Sequence, residues 1–100
     1  MGPVLAAAPP NPTCTLTGSP VVLSAINLPT DTLLGLTLYP GEPVNPRPGG
    51  GFVTTDGTYT ETLSMTPPIT AYFWQRGHGP SLIKLGPQLN DYKVIAICAI

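Results

Sequence analysis

The sequence predicts an all-β protein folded as an antiparallel sandwich of about seven to eight short strands. Runs rich in Thr, Val, Ile and Leu recur every ten to twelve residues or so, as in sandwich domains. The 14 Pro and 11 Gly separate these runs and leave few windows in which a helix could complete three turns. A single cysteine near each end, Cys14 and Cys98, offers one possible disulfide.

The composition indicates one small domain with an uncharged surface. The chain has 100 residues, 42% of them hydrophobic, and only 9% charged with a net charge of −1. Nucleic-acid binding depends on several Lys or Arg contacts to phosphates, so it is excluded as a function class. No apolar run reaches the roughly 18 residues of a membrane-spanning helix, so no membrane span is expected.

The domain is predicted to cover residues 13–100, after a flexible Pro/Ala-rich leader at residues 1–12. Within the leader, the alanines at 6–8 fit the end of a signal peptide. The leader lacks a charged start and a full apolar stretch, so a mature domain with an added Met is equally consistent with it.

The first three strands are predicted at residues 13–17, 21–28 and 32–39. In the first, Cys14 and Leu16 alternate with Thr and therefore point inward. In the third, alternation places Leu34, Leu36 and Leu38 on the core face. Gly35 within that strand indicates a bulge or a close approach of another backbone.

The later strands follow a long loop at residues 40–51. Strands at 52–55 and 58–65 flank Asp56-Gly57, which predicts a hairpin with a type I′ turn. The run 69–76 is bulky on both faces and predicts a central strand, a short strand is expected at 81–85, and 92–100 is the last. Its predicted inward residues are Tyr92, Val94, Ala96, Cys98 and Ile100.

A Cys14–Cys98 disulfide would constrain the topology, because bonded cysteines have Cα atoms within about 7 Å. The first and last strands must then be neighbours. By the chain-entropy model such a bond contributes about 4–5 kcal/mol. The bond predicts an oxidising compartment, and a secreted or cell-surface location; the alternative is two buried thiols in a cytosolic protein.

Several segments resemble bacterial secreted immunoglobulin-like and fibronectin type III-like modules. The resemblance lies in CTLTG at 14–18, NLP at 27–29, LTLYPG at 36–41, TTDGTY at 54–59 and the closing DYKVIAIC at 91–98. It implies a non-enzymatic spacer, adhesion or binding unit. The chain departs from the antibody-type pattern, because Cys14 lies on the first strand and Trp74 lies beyond the middle of the chain.

No residue set forms an enzyme signature, and no cofactor or metal site is predicted. His78, the one histidine, lies between two glycines without a nucleophile motif nearby. The carboxylates, except Glu61, lie at or beside turns, where they form turns or face solvent. Asp31, Asp56 and Asp91 could supply calcium ligands with loop carbonyls, but no D-x-D-x-D run exists.

The candidate ligand-binding residues are Tyr72, Trp74, Tyr39 and Arg47. Tyr72 and Trp74 lie on one face of the predicted strand at 69–76 and would form an aromatic platform for a sugar or peptide. Arg47 is the one cation of the loop at 40–51, which has the composition of a polyproline segment. The alternative is a covered sheet face and a loop without a partner.

Three functions remain open at this point. The first is a non-enzymatic extracellular structural or adhesion module. The second is a carbohydrate- or ligand-binding sandwich that uses exposed aromatics, and the third is a small secreted inhibitor or effector that acts through the Pro-rich loop. The expected partner is a protein or a cell-surface glycan, and the oligomeric state is left open.

Overall fold

The structure is a computed structural model that describes residues 10–76 and 92–100. Several sequence predictions lie outside the described residues: most of the leader, the loop containing His78, the short strand at 81–85 and the turn containing Asp91. The described residues contain seven strands and no helix. The strands are β1 (Thr13–Thr17), β2 (Val21–Ile26), β3 (Leu34–Pro40), β4 (Gly51–Phe52), β5 (Tyr59–Leu63), β6 (Ile69–Arg76) and β7 (Tyr92–Ala99).

The strands form two antiparallel sheets, which confirms the predicted all-β sandwich. One sheet has three strands in the order β1-β2-β5, and the other has four in the order β4-β3-β6-β7. Neighbouring strands are antiparallel in every described pair. The predicted bounds of β1 and β6 are correct, because a Gly, Ser or Pro turn lies beside each of them.

The core lies between the sheets and is built from the alternate residues of their strands. Phe73, Leu23, Leu34 and Ile69 are its largest fully buried side chains. Leu36 and Leu38 pack against it, so the three alternating leucines of β3 face inward as predicted. Burial of such a side chain stabilises the fold by about 1.5–3 kcal/mol.

Strand β6 is central, as its two bulky faces predict. It pairs with β3 on one side and with β7 on the other. Its residues from Ile69 to Trp74 are all buried. Phe73 and Ala71 face the core, whereas Tyr72 and Trp74 lie on the opposite, outer face of the sheet.

The predicted alternation of β7 is wrong over part of the strand, because a β-bulge interrupts its pairing with β6. Phe73 pairs with Ala96 and Trp74 pairs with Val94, which leaves Ile95 as the extra residue. Ile95 packs against the core. Val94 pairs with Trp74 and Tyr92 pairs with Arg76, so both lie on the outer face and not inward as predicted.

The Asp56-Gly57 turn does not form the predicted hairpin. Phe52 belongs to the four-stranded sheet and Tyr59 to the three-stranded sheet, so the turn crosses between sheets. Thr54 explains the difference: its buried Oγ1 accepts the N–H groups of Gly57 at 2.6 Å and Asp56 at 3.2 Å. These side-chain bonds replace the strand ladder that a hairpin would require.

Two backbone bonds fix this crossing to the turn that follows β2. Leu28 donates its N–H to the carbonyl of Gly57, and Asp31 donates to that of Thr54, both at 2.9 Å. Asn27 and Asp31 adopt left-handed conformations with φ of 60° and 56°. Asn and Asp tolerate this region better than other non-glycine residues, so the sequence suits the local backbone.

The disulfide joins Cys14 on β1 to Cys98 on β7, with Cα atoms 5.7 Å apart. Each strand lies at an edge of its own sheet, so the bond connects the two layers. Both cysteines pack against the core. The prediction that the first and last strands are neighbours joined by a disulfide is therefore confirmed.

Candidate binding site on the outer face of the four-stranded sheet

The four predicted ligand-binding residues meet on the outer face of the four-stranded sheet. In the pairing of β3 with β6, Trp74 lies opposite Gly35, and Tyr72 lies opposite Thr37. Directly opposed residues in an antiparallel pair project to the same face, so these side chains form one surface. Tyr39, two positions beyond Thr37, extends it.

The long loop lies across this surface, and residues 41–50 are called the strap below. Thr37 Oγ1 donates to the Arg47 carbonyl at 2.6 Å, and Tyr39 Oη accepts the Arg47 N–H at 2.6 Å. Trp74 Nε1–H donates to Thr37 Oγ1 at 3.0 Å. Backbone Leu36 N–H also donates to the Gly50 carbonyl at 3.0 Å.

Two glycines allow the strap to approach β3 this closely. A Cβ at Gly49 would overlap the Leu36 carbonyl oxygen and the Thr37 hydroxyl. A Cβ at Gly35 would lie 2.9 Å from the Gly49 carbonyl oxygen. Gly35 was predicted to mark a bulge or a close approach, and the structure shows the close approach.

The aromatic rings under the strap contact one another. Tyr39 and Tyr72 meet edge to face with centroids 5.8 Å apart, and Tyr72 stacks on Trp74 at 6.0 Å. Only 9% of Tyr72 and 6% of Trp74 is exposed. A stacking platform needs an open ring face, so the rings are not available to a ligand while the strap holds this position.

The role of these residues in ligand binding stays a prediction, but their mutual arrangement is now defined. Tyr39 holds the strap through the Arg47 backbone, and Arg47 itself is exposed. Beside Trp74 the strap leaves an open cavity of about 410 Å³, lined by Asn45, Pro46, Arg47 and Trp74. The cavity combines the amide of Asn45 and the guanidinium of Arg47, both hydrogen-bond donors, with the buried indole of Trp74.

Sequence reasoning missed Thr37, the residue that connects the strap to the sheet. Its hydroxyl accepts from Trp74 and donates to Arg47. The alternation of the strand does place Thr37 on the same face as Gly35 and Tyr39. A threonine on a strand is common, however, so this position alone would not have identified it.

A second feature of the outer face is an apolar margin along β7. Ile97 pairs with Tyr72 and is 56% exposed, and Val94, which pairs with Trp74, is exposed as well. A groove of about 460 Å³ lies beside this margin, with Pro68, Tyr72, Ile97 and Ile100 among its lining residues. Ile97 and Val94 are far more exposed than the Tyr72 and Trp74 rings that lie opposite them.

In the turn before β5 and on β5 itself, two acidic side chains interact with hydroxyl groups. Asp56 Oδ1 accepts the Thr58 N–H at 3.0 Å and the Thr58 hydroxyl at 2.9 Å, and these bonds lower the pKa of Asp56. Tyr59 donates to Glu61 Oε1 at 2.5 Å. Partial burial and that carboxylate raise the pKa of Tyr59 to about 12.

The residues considered for metal binding or catalysis lie only in part within residues 10–76 and 92–100. That part of the chain holds no group of three His, Cys, Asp or Glu side chains able to bind a metal ion. Asp56 uses its carboxylate to hold a turn, and His78 and Asp91 lie outside the described residues. Among the described residues, no helix has the length and apolar character required to cross a membrane.

Comparisons of the chain with protein-family models, curated proteins and solved structures find no match.

Proposed function

We propose that this chain is a non-enzymatic extracellular module with an immunoglobulin-like sandwich and a structural or adhesive role. The proposal places it in a secreted or cell-surface protein. Its partner would be another protein or a cell-surface glycan.

The strand order supports the immunoglobulin-like assignment. The order β1-β2-β5 corresponds to strands A-B-E of that fold, and β4-β3-β6-β7 corresponds to C′-C-F-G. The first and last strands then take the positions of strands A and G. This correspondence bears on the fold alone, because one fold serves many functions.

The observation that carries the proposal is the disulfide between the edge strands of the two sheets. It encloses nearly the whole domain, because 84 positions separate Cys14 from Cys98. Such a bond persists in an oxidising compartment and stabilises a small domain most when the enclosed loop is long. A surface of few charges and many hydroxyl groups fits an extracellular environment as well.

Export into a bacterial periplasm followed by thiol mapping tests whether the disulfide forms in an oxidising compartment. The proposal expects one linked peptide pair containing Cys14 and Cys98, and no thiol that reacts with an alkylating reagent. The same protein is assayed against a panel of ester, peptide and glycoside substrates. Two reactive thiols in folded protein, or a hydrolytic activity removed by changing His78 or a carboxylate, would contradict the proposal.

The strap favours a second candidate function, a small secreted inhibitor or effector. An inhibitory loop must be held in one conformation, and the strap is anchored at Arg47 by Thr37 and Tyr39. Val44 lies away from these anchors and is 90% exposed. This candidate expects V44D to abolish capture of the partner protein while Y39F weakens it; equal capture by V44D and wild type would contradict it.

A sugar titration monitored by Trp74 fluorescence distinguishes both candidate functions from carbohydrate binding on an aromatic platform. Because the indole is covered, wild-type emission is expected to be insensitive to glucose, galactose and N-acetylglucosamine. A saturable change in emission would instead favour the carbohydrate-binding alternative.

A further inference from the structure

We infer that the Cys14–Cys98 bond is a mechanical shunt, which carries tension past the sandwich when the chain is pulled from both ends. This inference rests on the proposed structural role. Cys14 is the second residue of β1, and Cys98 is the seventh of β7. The bond therefore encloses β2 to β6 completely and most of the two terminal strands.

The path of the force follows from covalent connectivity. Tension on residues 10–13 reaches the Cys14 backbone, crosses the two sulfurs and leaves through Ala99 and Ile100. The cysteines are 84 positions apart, so 83 residues lie between them and are not stretched. Outside the segment enclosed by the disulfide, tension acts on two residue pairs, Thr13 with Ile26 and Ile100 with Ile69.

The sheet topology explains why a shunt matters in this domain. Strand β1 pairs with β2 alone and β7 pairs with β6 alone, in different sheets, so no described backbone ladder joins the terminal strands directly. Without the bond, tension would peel each edge strand from its neighbour one residue pair at a time. Peeling in sequence breaks few hydrogen bonds at once and therefore opposes little force.

The shunt would also preserve the outer face of the four-stranded sheet under tension. Thr37 and Tyr39, which anchor the strap at Arg47, lie within the enclosed segment, as does Trp74. A surface protein exposed to shear would then keep this face folded while force passes along the chain. This role goes beyond stability at rest, which a disulfide elsewhere in the domain would also supply.

Single-molecule force spectroscopy tests the inference with the module placed between marker domains of known unfolding length. The oxidised protein is expected to show no extension beyond that of its flanking residues. C14S/C98S is expected to unfold below the force that opens the markers, with an added length of about 290 Å, since each residue spans at most about 3.3–3.6 Å.

G49A with the disulfide intact is the matched control. It is expected to weaken the sandwich without breaking the force path, so it should show no 290 Å event. If C14S/C98S does not fold, wild type is pulled before and after reduction, and the event is expected only after reduction.

Two outcomes would overturn the inference. One is an event of about 290 Å in molecules whose disulfide is confirmed by mass. The other is unfolding of C14S/C98S at forces as high as those of the markers, because the sheets themselves would then resist the tension. Neither outcome bears on thiol state or enzymatic activity, so the shunt can fail while the proposed function stands.

Discussion

Trp74 and Arg47 are connected through a single hydroxyl group. The Trp74 indole donates to Thr37 Oγ1 at 3.0 Å, and this hydroxyl donates to the Arg47 carbonyl at 2.6 Å. A buried indole N–H requires a partner, and a strap that crosses a sheet requires an anchor. One threonine satisfies both requirements, which makes the strap part of the fold.

T37V is expected to loosen the strap. Valine has a similar shape but cannot accept from the indole or donate to the Arg47 carbonyl, so the loss should be about 1–2 kcal/mol in the free energy of unfolding. Trp74 emission should shift to longer wavelength and become more sensitive to acrylamide. T62V, at an exposed position of β5, is the control and should leave both signals unchanged; an unchanged signal in T37V would contradict the anchor.

G49A and G50A form a matched pair on the strap. A methyl group at Gly49 would overlap the Leu36 carbonyl and the Thr37 hydroxyl, whereas one at Gly50 would meet no atom within 4 Å. G49A should lower the free energy of unfolding by about 1–3 kcal/mol, as expected for overpacking. G50A should stay within about 0.5 kcal/mol of wild type, as at an unconstrained surface position. Urea unfolding measures both, and equal effects would contradict the close approach.

T54V is expected to destabilise the crossing between the sheets. Thr54 Oγ1 accepts the buried Gly57 N–H at 2.6 Å, and valine would leave that donor without a partner. An unsatisfied buried donor costs about 1–3 kcal/mol. Thermal unfolding of T54V, with the exposed neighbour variant T55V as control, measures the cost. Equal unfolding temperatures for the two variants would show that this hydroxyl does not hold the turn.

Tyr59 is expected to make stability fall at high pH. Its pKa is about 12 in the fold, against about 10 in the unfolded chain, because partial burial and Glu61 oppose its ionisation. The resulting stabilisation is complete below pH 10 and is lost as the pH rises through 12. The tyrosinate absorbance of wild type minus that of Y59F should titrate near 12. A difference curve centred near 10 would be evidence against the Glu61 contact.

The strand pattern and the disulfide were predictable from local sequence. Turn residues flank β1 and β6 closely, and two cysteines permit only one internal pairing. The bulge at Ile95 was not predictable, because the run from Tyr92 to Ala99 alternates acceptably in either phase. The bulge becomes evident only from the pairing of β7 with β6, in which Phe73 lies opposite Ala96 and Trp74 lies opposite Val94.

The assignment of strands to sheets and the cover over Trp74 depend on distant contacts. Asp56-Gly57 has the composition of a hairpin turn, but Leu28 and Thr54 direct the chain to the other sheet through their hydrogen bonds. The four candidate binding residues were identified from side-chain chemistry. The arrangement of the three aromatic residues under the strap, and of Arg47 within it, depends on Thr37 and Gly49, which were not identified in that way.

The most direct test of the central claim, that Cys14–Cys98 closes the sandwich, is equilibrium urea unfolding of oxidised and reduced wild type. The oxidised protein should be more stable by about 4–5 kcal/mol, the value of the chain-entropy model for a loop of this length. C14A/C98A should resemble the reduced protein apart from the packing lost with two partly buried sulfurs. A difference below about 1 kcal/mol, less than most native disulfides contribute, would contradict the claim.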